Sequence, residues 1–270
     1  MEFVLLNSAN KDVLMLAPRS LLAAIFFVMV LVVSPSTSDA GAILNTLQGY
    51  DVDEPGWSGG LDGLFSGSGG NTDRIFFSLG GRTQWRGERN RYRIQFSSDY
   101  EESSGVETAR SGVFHMRHNY EISDKWLSVA FAQVQHNPFQ ELKSRWLVGL
   151  GPRFEPVNND HGVVAFGAVP MLEVERLESR PGHLARGRMS FFVHLSRQLS
   201  ETTQLDLVGF WQPLFSDFSA IRAVGNLVLK VDVTGEVDLK VGFSVEDNSR
   251  PPVGVERTDW GTFVGLSLNL

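Results

Sequence analysis

Two histidines, His115 and His118, stand in one segment with Ser111, Arg110 and Arg117, and Asn119 follows the second. A His and an Asn with a Ser in reach have the composition of a hydrolytic site, where imidazole takes the hydroxyl proton and an amide orients the ring. The context argues against that chemistry. No Ser stands in a strand-to-helix elbow, because no stretch of helical period follows any of them. His118 shares its strand face with Phe114, Met116 and Tyr120, a setting in which a histidine is an interface residue. A metal site fares no better. His115 and His118, three positions apart, point to opposite faces of a strand, and the chain has no Cys. Gly67-Ser68-Gly69 lies between strand-like segments with no helix behind it, so it reads as a turn and not a phosphate cradle. No catalytic residue, metal or cofactor is expected.

Charge is the more informative chemistry. Arg82, Arg93, Arg117, Lys143 and Arg145 occupy alternating positions of their segments, as do Glu173, Glu175, Arg188, Lys230 and Lys240. Asp206, Asp232, Asp238 and Glu246 follow the same rule. Successive strand side chains point to opposite faces, so these charges share one face and the apolar residues take the other. The pattern is clearest where Ile75, Phe77, Leu79, Thr83 and Trp85 alternate with Arg74, Ser78, Arg82, Gln84 and Arg86. After a turn at 87–90, Tyr92, Ile94, Phe96, Ser98 and Tyr100 alternate with Arg91, Arg93, Gln95, Ser97 and Asp99. Pairing Arg86 with Arg91 across that turn brings like faces together.

The elements that position these charges are about twelve strand segments: 56–65, 73–86, 91–101, 109–122, 126–137, 140–154, 163–177, 186–199, 203–214, 220–233, 237–247 and 257–270. Segment 126–137 is ambiguous, since both faces carry apolar residues, and Pro170 predicts a bulge in 163–177. An apolar face turned outward around a charged interior predicts an all-β, antiparallel transmembrane barrel over 57–270, closed because lipid offers no partner for an open edge. In the last segment Gly265, Leu266, Leu268 and Leu270 resemble the terminal signal by which outer-membrane barrels are recognised for assembly. The expected partners are therefore outer-membrane lipids and the barrel-assembly machinery, and the chain is expected to be a monomer.

Residues 1–42 read as a secretory signal. Lys11 and Arg19 precede an apolar run from Leu21 to Val33, and small residues follow, with cleavage expected after Ala40 or Ala42. Met15 is an alternative start. The run is shorter than the roughly 20 residues of a spanning helix. Residues 43–56 form a polar lead-in whose Asp51, Asp53 and Glu54 read as solvated charge. A formal charge of −7, with no basic run, excludes a nucleic-acid reader.

The connections alternate in character. Those at 87–90, 123–125, 200–202 and 234–236 are tight, with 155–162 a longer exception. Those at 66–72, 102–108, 178–185, 215–219 and 248–256 are longer and richer in Gly, Pro and charge. Short turns inside and longer loops outside put both termini in the periplasm. Trp85, Tyr92, Tyr120, Trp126 and Phe154 fall beside the short turns, and Tyr100, Trp211, Phe215, Phe218 and Trp260 beside the longer loops, as two interfacial girdles would.

Several stretches taken in order carry a family resemblance: Asp53-Glu54-Pro55-Gly56-Trp57, Ser68-Gly69-Gly70-Asn71-Thr72, Arg117-His118-Asn119-Tyr120, Gln212-Pro213 before Asp217-Phe218, and Ser249-Arg250-Pro251-Pro252 before Arg257-Thr258-Asp259. Over roughly residues 44–270 the chain resembles the YdiY-like, salt-induced outer-membrane family, a domain of unknown function. The resemblance implies an outer-membrane barrel connected with salt or osmotic stress, and brings no catalytic residue, ligand or cofactor. Barrel bore grows with strand number: about 8 strands are filled by side chains and 16 or more leave a channel. At about twelve, with charges of both signs inside, a plugged or narrow lumen and a structural or envelope-stress role are expected. The alternatives are a channel for small polar solutes and a lipase-like hydrolase in the barrel wall.

Overall fold

The computed structural model describes residues 55–69 and 73–270. The signal segment, both cleavage sites and nearly all of the lead-in lie outside the described residues. Twelve strands follow in order: β1 (Gly56–Ser68), β2 (Arg74–Arg86), β3 (Asn90–Ser103), β4 (Val106–Ser123), β5 (Trp126–Asn137), β6 (Leu142–Asn159), β7 (Gly162–Leu177), β8 (Leu184–Ser200), β9 (Thr203–Pro213), β10 (Ile221–Asp232), β11 (Val237–Asn248) and β12 (Thr258–Asn269). Each pairs antiparallel with its chain neighbours, and β12 returns to β1 to close a barrel. A single 3-10 turn, Pro138–Gln140, is the one helical element among the described residues.

The period-2 pattern is why these segments form and close. Leu79, Ile94, Phe96, Met116, Val148 and Leu172 are exposed on the outer wall, while Arg93, Arg117, Arg145, Glu173 and Asp206 are buried within. Arg86 lies opposite Arg91, which keeps like faces together across the β2–β3 turn. The closing register runs from Gly60 opposite Asn269 to Gly63 opposite Leu266. Gly59 and Leu270 add reciprocal backbone hydrogen bonds, each 3.0 Å, so the last residue of the chain is tied into the seam.

At the end near the termini the turns are tighter than the sequence pattern gives, while the other end departs from that pattern at one connection. Strands β6 and β7 reach Asn159 and Gly162, so the connection expected at 155–162 is as tight as its companions. At the other end, the expected loop 102–108 is only Ser104-Gly105, both with positive φ (51° and 77°), the backbone that a two-residue hairpin needs. The longer loops 178–183, 214–220 and 249–257 stand at the end away from the termini. Pro170 causes no bulge. The register on either side of it is the same, and pairing between β6 and β7 lapses from Leu150 to Pro152 instead. Aromatic pairs mark both rims: Trp85–Tyr92 at 5.8 Å and Trp126–Phe154 at 4.8 Å near the termini, Trp211–Phe218 and Phe243–Trp260 at 6.3 Å near the loops.

Candidate functional site: the barrel lumen

The lumen has two unlike halves. Along β5 to β10, Glu173 and Glu175 sit on the inner face of β7 with almost no exposure. Arg145 on β6 lies 2.7 Å from Glu173, Arg188 on β8 lies 3.1 Å from it, and Arg186 on β8 and Arg222 on β10 each lie 3.3 Å from it. Glu175 is held by Arg222 at 2.5 Å and by Arg186. Two carboxylates thus offset half of the charge on four guanidinium groups. That is the arrangement in which buried charge survives, since an isolated one would be expelled. Glu246 on β11 faces the same small cavity as Arg145, Glu175 and Arg222, and its buried Oε2 has no hydrogen-bond partner among the described residues.

Nearer the termini this half is apolar. Val129, Val169, Phe192 and Val208 form a buried apolar layer with Phe131 and Phe210 against it. The inward face of β5 is therefore its odd-numbered one, which resolves the ambiguity of 126–137. Phe192 lies between two cations, with the Arg117 guanidinium 5.2 Å and that of Arg153 5.7 Å from its ring centre. Such contacts strengthen as water is excluded. Below it, Arg153 donates to Glu155 at 2.6 Å, and Arg91 on β3 reaches Glu155 on β6 at 3.6 Å.

The half formed by β1–β3 and β10–β12 is open. It holds a cavity of about 360 Å³ lined by small residues such as Gly80, Ser97, Ser244 and Gly261. Its floor is ionic. Lys240 donates to Asp62 at 2.6 Å, Arg82 stands 3.5 Å from Asp62, and Arg82 donates to Asn269 at 3.0 Å. Asn269 in turn donates to Asp238 at 2.9 Å, which Lys230 approaches at 3.8 Å.

The family model described as protein of unknown function, DUF481, matches residues 64–269, most of the barrel. The chain is a DUF481 protein. No curated protein matches its sequence. Solved structures similar to it include the NanC porin, at 9% identity and a TM-score of 0.49, covering 79% of this chain and 100% of that one. The translocator domain of the autotransporter NalP from Neisseria meningitidis follows at 13% identity and 0.42, covering 81% and 90%. The KdgM porin in complex with disordered oligogalacturonate matches at 10% identity and 0.38, covering 78% and 98%.

Within this DUF481 barrel, Arg82, Arg93, Arg117, Arg145, Glu173, Glu175, Arg188, Lys230 and Lys240 all lie on the inner wall, but they form separate groups and no single cluster. Lys143 is not among them. A register shift between Leu142 and Ser144 turns it outward, where it is exposed and lies 3.8 Å from Glu178. Pairing about the centre of 178–185 would set Glu175 opposite Arg188. The observed register sets Glu175 opposite Leu184 and Glu173 opposite Arg186, and Arg188 reaches Glu173 instead. Arg186 and Arg222 are missing from the charges read in the sequence, although each shares the parity of Arg188 or Lys230 in its own strand. Leu266 and Leu268 of the terminal signal face outward and Gly265 inward. The hydrolytic trio is split by the wall. His118 stacks on Tyr92 at 4.4 Å and bonds Asn90 at 2.9 Å, while Asn119 is inside, accepting from Arg117 at 3.1 Å.

Proposed function

We propose that this DUF481 protein is a monomeric integral barrel of the Gram-negative outer membrane with a plugged or very narrow lumen. In this reading it is exported behind a cleaved leader, inserted by the barrel-assembly machinery with both termini periplasmic, and serves a structural role under salt or envelope stress. The exposed apolar wall between two aromatic rims supports the location, because a closed barrel satisfies its backbone internally and offers lipid its apolar side chains. The ion group on Glu173 and Glu175 carries the functional reading. It joins β6, β7, β8 and β10, and with the apolar layer beneath it fills the bore on that side. Conductance of the purified mature barrel in planar bilayers tests this. Small or absent steps are expected, and large stable steps unchanged by Glu173→Ala with Glu175→Ala would overturn the plug. For the stress role, a deletion strain should grow more poorly or leak more at high salt than its parent; indistinguishable growth and permeability would remove that part.

A channel for small polar solutes is the second reading, favoured by the 360 Å³ cavity that ends on the Asp62–Lys240–Arg82 floor. Solute-dependent conductance that disappears when the cavity is filled would select it.

A further inference from the structure

The seam between β1 and β12 is paired only over its half nearer the termini. Its register stops at Gly63 opposite Leu266. Continued, it would set Leu64 against Gly265, Phe65 against Val264 and Ser68 against Gly261, and none of these is paired. Each strand is nonetheless fully paired on its other side, β1 with β2 from Gly56 to Ser68 and β12 with β11 from Thr258 to Leu268. The gap therefore belongs to the seam and not to frayed strands. It opens into the 360 Å³ cavity, whose lining includes Gly63 and Leu64 on one lip and Gly265 and Leu266 on the other. A Cβ added at Gly63 or at Gly265 would meet nothing within 4 Å, so among the described residues no neighbour fills the opening at either lip. Outside it, Phe65, Val264 and Leu266 are exposed on the lipid face. Inside it, the wall includes Leu64, Phe76, Val224 and Phe263.

We propose that this gap is a lateral portal through which the hydrocarbon chain of a membrane lipid enters the open half of the lumen. The inference rests on the barrel lying in a bilayer and goes beyond the roles proposed above. Two edges that face hydrocarbon without partners are costly, because lipid supplies no hydrogen bonds. The glycine-rich lips nevertheless leave the gap clear. Beside such a gap the abundant occupant is an acyl chain, and the apolar part of the cavity wall receives it. Polar solutes meet the opposite situation, a doorway that opens onto lipid.

Phe76 and Phe77 provide the readout, since the first lines the cavity and the second is exposed on the lipid face in the next position of β2. The mature chain is reconstituted in phosphatidylethanolamine–phosphatidylglycerol vesicles containing a phospholipid with a diazirine near its acyl terminus. Folded molecules are isolated by heat-modifiable gel mobility after illumination, and adducts are mapped by mass spectrometry. Adducts on Phe76 or Val224 as well as Phe77 are expected. Gly265→Trp, which fills the lumen side of the portal, should lower the Phe76-to-Phe77 adduct ratio roughly tenfold, as unpaired wall is replaced by side chain. Leu150→Trp, on the outer face of β6 and away from the seam, should leave the ratio unchanged. Adducts confined to Phe77 and other outward residues would overturn the portal while leaving the membrane reading intact. Inner adducts unaffected by Gly265→Trp would overturn the seam as the route. Failure to label any outward residue would instead overturn the membrane reading.

Discussion

Glu173 on β7 and Arg222 on β10 meet at 3.3 Å although β8 and β9 stand between them in the wall. The contact is a chord across the bore, and Glu173 is fully buried at its centre. Removing one member of a buried ion group strands the others, at about 3–5 kcal/mol. Glu173→Ala should lower unfolding stability by that order, measured by denaturant titration in detergent. The double change Glu173→Ala with Glu175→Ala should also admit anions past the freed arginines, read as a rise in conductance and a shift of reversal potential toward anion selectivity.

This chord also shows where sequence reading stops. Alternation alone places Arg145, Glu173 and Arg188 on one face, because strand parity is a local property. Parity also places Arg186 and Arg222 there, so those two were legible. What parity lacks is depth. Contact between Glu173 and Arg222 depends on strand tilt and stagger, which belong to the closed barrel. Lys143 fails for another reason: one bulge at Leu142–Ser144 reverses parity beyond it, and the polar residues there give no sign of the extra position. The β7–β8 register fails because loop 178–183 is placed off-centre, with β8 resuming at Leu184, and hairpin register follows the turn. The unpaired half of the seam is invisible too, since Leu64–Ser68 and Gly261–Gly265 alternate like any paired strand.

The floor of the open half behaves differently from the ion group around Glu173. Asp62 is 39% exposed, so its pairs with Lys240 and Arg82 are screened and contribute only about 0–1 kcal/mol. Asp62→Asn should leave stability nearly unchanged. It also removes the carboxylate from between two cations. The conductance that remains should become more anion-selective in a salt gradient, and an unchanged reversal potential would place the conducting path elsewhere.

Assembly provides a test of the outer face. Leu266 lies outward and opposite Gly63, well inside the rims, whereas Asn269 faces the lumen beside Asp238. A lipid-facing Arg near mid-membrane costs about 2–4 kcal/mol. Leu266→Arg should sharply reduce the yield of heat-modifiable barrel, and Asn269→Arg, which remains near a carboxylate, should reduce it less. Equal yields would contradict the assignment of faces.

One loop has a pH response of defined sign. The Ser219 hydroxyl and amide donate to Asp217 at 2.7 and 2.9 Å, and Arg250 of the neighbouring long loop donates to its other oxygen. The Ser219 bonds first, and then Arg250, hold this exposed carboxyl at about 2, below its ordinary 3.8. A depressed carboxyl stabilises its tie above the ordinary value and loses it as pH falls through the depressed one. The 214–220 loop should therefore stay tied to 249–257 at pH 4 and release near pH 2, with the Ser219 amide resonance titrating at that midpoint. In Asp217→Asn the charge-dependent part of the tie should be absent at every pH.

One cross-strand pair recurs on the inner wall, twice in the apolar layer and once in the open half. Phe192 lies directly opposite Gly167, Phe131 opposite Gly149 and Phe263 opposite Gly242. In each case the ring covers the glycine. A Cβ on Gly167 would fall 2.1 Å from the Phe192 ring, one on Gly149 would fall 2.5 Å from Phe131, and one on Gly242 would fall 2.2 Å from Phe263. A ring over a glycine fills the space of the missing side chain and pins register. The Phe192 ring has least freedom to yield, since Val129, Val169 and Val208 surround it and two guanidinium groups lie within 6 Å of its centre. Gly167→Ala should therefore cost about 1–3 kcal/mol as overpacking, and Phe192→Ala about 3–5 kcal/mol as a cavity. If the clash is the cause, the double variant should be no less stable than Phe192→Ala alone, because the added methyl enters the space that the ring has left. Full additivity in denaturant unfolding of all three variants would show that Gly167 is required for its backbone and not for the ring above it.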